Sequence, residues 1–116
     1  NTALQPIVLL ETTGAKSGLT RRTATLCMPL DRELVVVGSN WGLAKDPAWI
    51  HNLRANPQPK VTFRGYSGPM AATEMSGEAR TAMWAQLLRH NPQYGIYEQM
   101  TEREIPVMVL TRPPSS

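Results

Sequence analysis

Short apolar, β-branched runs recur along this chain, and most are separated by connections of only a few residues. Residues 23–29 lead through the Asp31-Arg32 turn into residues 33–39, a run centred on Leu34-Val35-Val36-Val37. So short a connection sends the chain back antiparallel, because a parallel return needs a crossover of about a dozen residues or more. A second pair of runs, 60–64 and 69–74, is joined through Gly65-Tyr66-Ser67-Gly68, and a last run covers 105–110 with Pro106 near its start. The first run, 6–12, is apolar without alternation, as expected of a strand buried on both faces.

Three stretches break the strand pattern with helical spacing. Asp46 reads as an N-cap with Pro47 at the first helical position, opening a helix over 47–55 that Asn56-Pro57 stops. Ser76 caps a longer helix over 77–90, with Met83, Trp84, Leu87 and Leu88 on one apolar stripe, and Asn91-Pro92 ends it. A short helical turn follows over 94–100. The order β-β-β-α-β-β-α-β predicts an α+β domain: a six-stranded antiparallel sheet or small barrel with helices over its open sides. At 116 residues the chain is long enough for one such core and shows no repeat or internal linker. The tail over 112–116 is expected to fray.

The connection between the first two runs differs from the others. Gly14-Ala15-Lys16-Ser17-Gly18-Leu19-Thr20-Arg21-Arg22 holds cations, glycines and hydroxyls, and no acid. Gly14 and Gly18 can take positive φ and let backbone N–H groups converge on one point. Lys16 supplies a mobile charge and Arg21 a planar fork matched to phosphate or carboxylate. The spacing is not that of a Walker A loop. Residue types alone leave two readings open, an anion site and a solvated hairpin loop.

A second unusual connection spans 38–46, with Gly38, Ser39, Asn40, Trp41, Gly42 and Lys45 supplying hydroxyl, amide and indole groups. Tyr94 and Tyr97 are three apart and share a face of one helical turn. Other chemistries find little support. His51 and His90 are far apart and one cysteine builds no zinc set, so no metal is expected. Ser39, Asp46 and His51 lack the nucleophile elbow of a hydrolytic triad. Cys27, within Thr25-Leu26-Cys27-Met28, reads as an inert core thiol of a reducing, cytoplasmic compartment.

Taken in order, the stretch 10–21, the block Gly38-Ser39-Asn40-Trp41-Gly42 with Lys45-Asp46-Pro47-Ala48-Trp49-Ile50-His51-Asn52-Leu53 and Asn56-Pro57, and the ending Tyr94, Tyr97 and Ile105-Pro106-Val107 resemble the deazaflavin-dependent nitroreductase family. These are split-β-barrel proteins that bind coenzyme F420. The resemblance implies that Lys16, Ser17, Gly18 and Arg21, with Arg22 and Thr23 beside them, hold the phosphate and acidic tail. It places Ser39, Asn40, Trp41, Gly42, Lys45, Pro47, Ala48, Trp49 and Asn52 around the ring and its side chain. Tyr94 and Tyr97 fall on the substrate side, and Tyr97, with Ser39, is the expected hydrogen-bond donor during hydride transfer. Relatives commonly have two glycines where this chain has Trp41-Gly42. Some also carry an amphipathic N-terminal helix that is not seen here.

The implied reaction moves a hydride from reduced deazaflavin to a quinone, an activated alkene or a nitroaromatic. An FMN reductase on the same barrel and a non-catalytic F420 carrier stand as alternatives. A net charge of +3 and a pI near 9.4 suit an anionic ligand, nucleic acid or an anionic membrane surface. No basic run interleaved with stacking aromatics supports nucleic acid, and no apolar run spans a membrane. The expected partner is a small-molecule electron acceptor, with peripheral membrane contact and pairing of two copies left open.

Overall fold

A computed structural model describes residues 6–113, so residues 114–116 of the tail expected to fray lie outside it. The strands are β1 (Ile7–Thr13), β2 (Thr20–Pro29), β3 (Glu33–Val37), β4 (Lys60–Phe63), β5 (Tyr66–Pro69), β6 (Ala71–Glu74) and β7 (Val107–Thr111). The helices are α1 (Ala48–Ala55), α2 (Gly77–His90) and α3 (Gln93–Met100), with a 3-10 turn at Asn40–Gly42. All neighbouring strands run antiparallel in the order β5-β4-β1-β2-β3-β7-β6.

The described sheet has seven strands where the sequence pattern predicts six. The extra one comes from the second hairpin. Its turn is only Arg64-Gly65, both at positive φ (45° and 84°), which matches the twist of the flanking strands. Tyr66–Pro69 therefore pairs with β4 instead of forming a loop. After Met70 the chain changes partner, and β6 joins β7 at the far edge of the sheet. Opposite edges of the sheet are thus one residue apart in sequence, which curls it into a half-barrel. Met70 is 2% exposed at that corner, and the Met70 and Ala72 amides donate to the Pro59 and Pro57 carbonyls at 3.1 and 2.8 Å.

Two apolar clusters hold the layers together. Val8, Leu10, Leu34, Val36, Ile50, Leu53, Val61 and Leu110 fill the barrel under α1. Val35, Val37, Trp84, Leu87, Ile105, Val107 and Val109 join the outer face of β3 and β7 to α2 and α3. The strands buried on both faces are therefore β3, whose Leu34–Val37 residues are all buried, and β7, whose Val107–Leu110 residues are too. In β1 the expectation fails, because Ile7 (63% exposed) and Leu9 lie on an uncovered face. Sequence could not separate the cases, since an apolar run looks alike whether or not a helix covers it.

Cys27 is wholly buried in the barrel cluster, and burial pushes its thiol from 9.0 to about 11, against a weaker opposing effect of Arg64. The folded value is the higher one. Its contribution is therefore complete below about pH 9 and is lost as pH rises toward 11. The native thiol is expected to resist a disulfide reagent at pH 8 and to react at once in denaturant. Rapid labelling of the native protein would contradict this burial.

Candidate coenzyme and acceptor site

The site follows from an unequal strand. β2 pairs with β1 from Thr20 to Leu26, while β3 meets it only at Cys27, Met28 and Pro29. The second edge of residues 20–26 takes no strand among the described residues, and this is the split in the barrel. Two cavities open along it. One, about 400 Å³, is lined by Lys16, Ser17, Arg21, Thr23, Ala48, His51 and Asn52, among others. The other, about 280 Å³, is lined by Ile7, Leu26, Ser39, Asn40, Trp41, Tyr94 and Tyr97, with Thr25 and Pro47 between them. Trp49, the second residue of α1, borders both.

The basic loop closes on itself. The Gly14 and Gly18 amides donate to the Leu19 and Gly14 carbonyls at 2.7 and 2.9 Å, and the Leu19 amide to Ser17 Oγ at 3.1 Å. A Cβ at Gly14 would lie 2.5 Å from Ser17 Oγ and 3.2 Å from the Leu19 carbonyl, so a larger residue would have to turn the Ser17 hydroxyl off its Leu19 amide. The Gly14 and Gly18 amides are thus taken up within the loop itself. What the loop offers instead is the cationic side chains of Lys16 and Arg21. Asn52, 7% exposed, ties the loop to α1: its Oδ1 accepts from the Ala15 amide at 2.9 Å, and its Nδ2 donates to Thr12 Oγ1 at 3.1 Å.

Pleating separates the two arginines. Arg21 and Arg22 point to opposite faces of β2, and Arg22 sits across from Glu11 with 3.6 Å between the charged groups. Arg22 lines neither cavity and lies exposed beside Glu11. Gly18, Gly42 and Lys45 also do not line either cavity. Gly42 instead packs against α3, a Cβ there meeting Met100 Cβ at 3.0 Å, and Lys45 presents its carbonyl to Asn40 Nδ2 at 2.9 Å.

The connection 38–46 is held by a residue that the sequence pattern did not single out, Arg103. Its Nε donates to the Leu43 carbonyl (3.0 Å), Nη1 to the Gly38 carbonyl (3.2 Å) and Asp46 Oδ1 (2.6 Å), and Nη2 to the Ser39 carbonyl (2.8 Å). The only signal available was the lone basic charge between Glu102 and Glu104, which by itself reads as solvated surface. Asp46 is not the N-cap of α1 that the sequence led one to expect; the cap position is Pro47, with no side-chain bond. Two guanidinium groups claim the carboxylate instead, Arg54 Nη1 reaching Oδ2 at 3.0 Å. Arg54 also grips Glu74 through Nε and Nη2 at 2.8 and 2.7 Å, which holds the Glu74 carboxyl below the usual carboxylate range. Stability from that pair is present above the ordinary carboxylate pKa and lost on acidification.

So clamped, the connection supports unusual backbone. Asn40, Trp41 and Gly42 all have positive φ, 45°, 60° and 78°. A bulky side chain in this region costs about 1–2 kcal/mol. Gly38 is needed for another reason: a Cβ would come within 2.6 Å of Ile50 Cγ1 and 2.8 Å of Pro106 Cγ. On the far wall, Tyr94 is 4% exposed and packs on Trp84 with ring centroids 6.2 Å apart. Tyr97 is more open and meets Trp41 edge to face, at 6.3 Å and 89°.

The residues fit a coenzyme with a flat ring and an anionic tail, having cations at one end of the split and aromatic walls at the other. Comparison with known proteins agrees. The family model for F420H(2)-dependent quinone reductases matches residues 2–112. An F420H(2)-dependent quinone reductase of Mycobacterium tuberculosis is 31% identical over 110 residues, 92% of this chain and 74% of that protein. A solved F420-H2 dependent reductase, FDR-A, superposes with a TM-score of 0.80 at 36% identity, covering 90% of this chain and 93% of its own. Another solved chain, described as a domain-swapped dimer, gives 0.81 at 35% identity, covering 90% of this chain and 79% of that one. With its split, its clamped loop and these relatives together, the chain belongs to the F420H(2)-dependent quinone reductase family.

Proposed function

We propose that this chain holds F420 along the split of the barrel and passes its hydride to a quinone bound against Tyr97. One observation carries the reading: two cavities share Trp49 as a common wall, with Lys16 and Arg21 lining one and Tyr97 the other. Lys16 and Arg21 bind the anionic tail, while Trp49 and Ala48 border the ring. The bound coenzyme supplies the hydride chemistry, and the protein supplies position and electrostatics. Tyr97 and Ser39 line the acceptor end, where a hydroxyl donates to an oxygen that gains negative charge. Tyr94 forms the floor.

Anaerobic mixing of reduced F420 with menadione tests this directly, since acceptor-dependent return of the oxidised-coenzyme absorbance is expected. Tight binding without turnover would favour a carrier, and preference for FMN in a fluorescence titration would favour a flavin reductase. Tyr97→Phe is expected to lower kcat/KM for quinones about tenfold or more while leaving coenzyme affinity in place. No change in kcat or KM for any acceptor would remove Tyr97 from this role. No helix among the described residues is long and apolar enough to cross a membrane. Pairing of two copies is part of the same proposal, supported by the domain-swapped relative and tested by light scattering.

A further inference from the structure

We propose that Trp41 selects the electron acceptor, its exposed indole stacking on the flat face of an aromatic quinone while Tyr97 braces the indole in place. This rests on the functional reading above and adds the residue that sets acceptor class. Trp41 has φ 60° and ψ 20°, inside a run of three successive residues with positive φ. A glycine would sit there without strain, so a tryptophan retained in that conformation is a backbone outlier that only a fixed loop can sustain. Arg103 fixes it, bonding carbonyls on both sides at Ser39 and Leu43. The strain holds a large aromatic surface at the mouth of a cavity and does not bury it: Trp41 is 71% exposed and still lines the 280 Å³ cavity.

The surroundings define the ligand. Tyr97 braces the indole edge to face, an arrangement that leaves aromatic surface uncovered for stacking. The exposed side chains of Ile7 and Leu26 line the same cavity and offer apolar contact to ring substituents. Among the described residues no acidic or basic side chain lines this cavity, so it suits a neutral, planar acceptor. The cations that would hold the coenzyme tail line the other cavity, beyond Trp49, which assigns Trp41 to the acceptor end and not to the ring side that the family resemblance implied.

The experiment compares menadione, an aromatic quinone, with N-ethylmaleimide, an activated alkene without an aromatic ring, for the parent, Trp41→Gly and Trp41→Phe. In Trp41→Gly the ratio of kcat/KM for menadione to that for maleimide is expected to fall about tenfold, the scale of one lost stacking contact. Trp41→Phe should keep the parent ratio. The Kd for F420 should be the same in all three, and Trp41→Gly should melt no lower than the parent, since glycine suits the backbone. An unchanged ratio, an equal loss on both acceptors, or a weakened Kd for F420 in Trp41→Gly would overturn the assignment. A parent protein that oxidises reduced F420 with neither acceptor overturns the functional reading, and this inference with it. A parent active with both, beside an unchanged ratio in Trp41→Gly, overturns this inference alone.

Discussion

Replacing Arg103 by alanine is expected to destabilise the protein by about 3 kcal/mol and to abolish most turnover. The guanidinium serves the Gly38, Ser39 and Leu43 carbonyls and the Asp46 carboxylate together, and its side chain is 15% exposed. Alanine would leave three carbonyls without that donor. Asp46 would keep Arg54, which is why the expected loss is no larger. A shift of this size lowers the melting temperature of a small domain by about 10 °C or more. Arg103→Lys should rescue little, because an ammonium is a point charge and cannot span carbonyls on both sides of the turn. The activity loss should exceed what unfolding explains at low temperature, since Ser39 and Trp41 ride on the same turn. A melt within about 2 °C of the parent would show that the clamp is dispensable.

Exchanging both Lys16 and Arg21 for alanine should weaken F420 binding by about a hundredfold or more, as two charge-assisted contacts to an anionic tail are lost. The bare deazaflavin ring, lacking that tail, should bind parent and variant nearly alike. Added salt should weaken the parent's grip on F420 more than the variant's, because screening acts only where the charges remain. The comparison of tailed and tailless ligand is the decisive measurement. Equal losses for both would mean that the loop shapes the groove instead of holding the tail. Arg22→Ala serves as the contrast: its charge lies beside Glu11 and lines neither cavity, so little change in F420 affinity is expected.

Much of the architecture was legible because it follows from local rules. The Asp31-Arg32 turn forced an antiparallel hairpin, and α2 spans Gly77–His90 as its apolar spacing indicated. The seventh strand was not legible. It depends on positive φ at Arg64, a residue that does not announce a tight turn, and on Met70 handing the chain from one sheet edge to the other. In the basic loop, residue types singled out Lys16 and Arg21, which line one cavity. They did not show that the Gly14 and Gly18 amides bond to carbonyls within the loop. Arg103 was invisible for a related reason: its value lies in four acceptors, each at least 57 positions away.

Periodicity, turn chemistry and charge act over a few neighbouring positions, so six of the seven strands, the helices, the cationic connection and the aromatic residues could be read from the residues in order. Folding alone settles which edge of β2 stays open, which of two adjacent arginines lines a cavity, and that a distant guanidinium holds Asn40-Trp41-Gly42 in place. Those outcomes depend on pairing and bonding between residues far apart in the chain, and no local pattern encodes them.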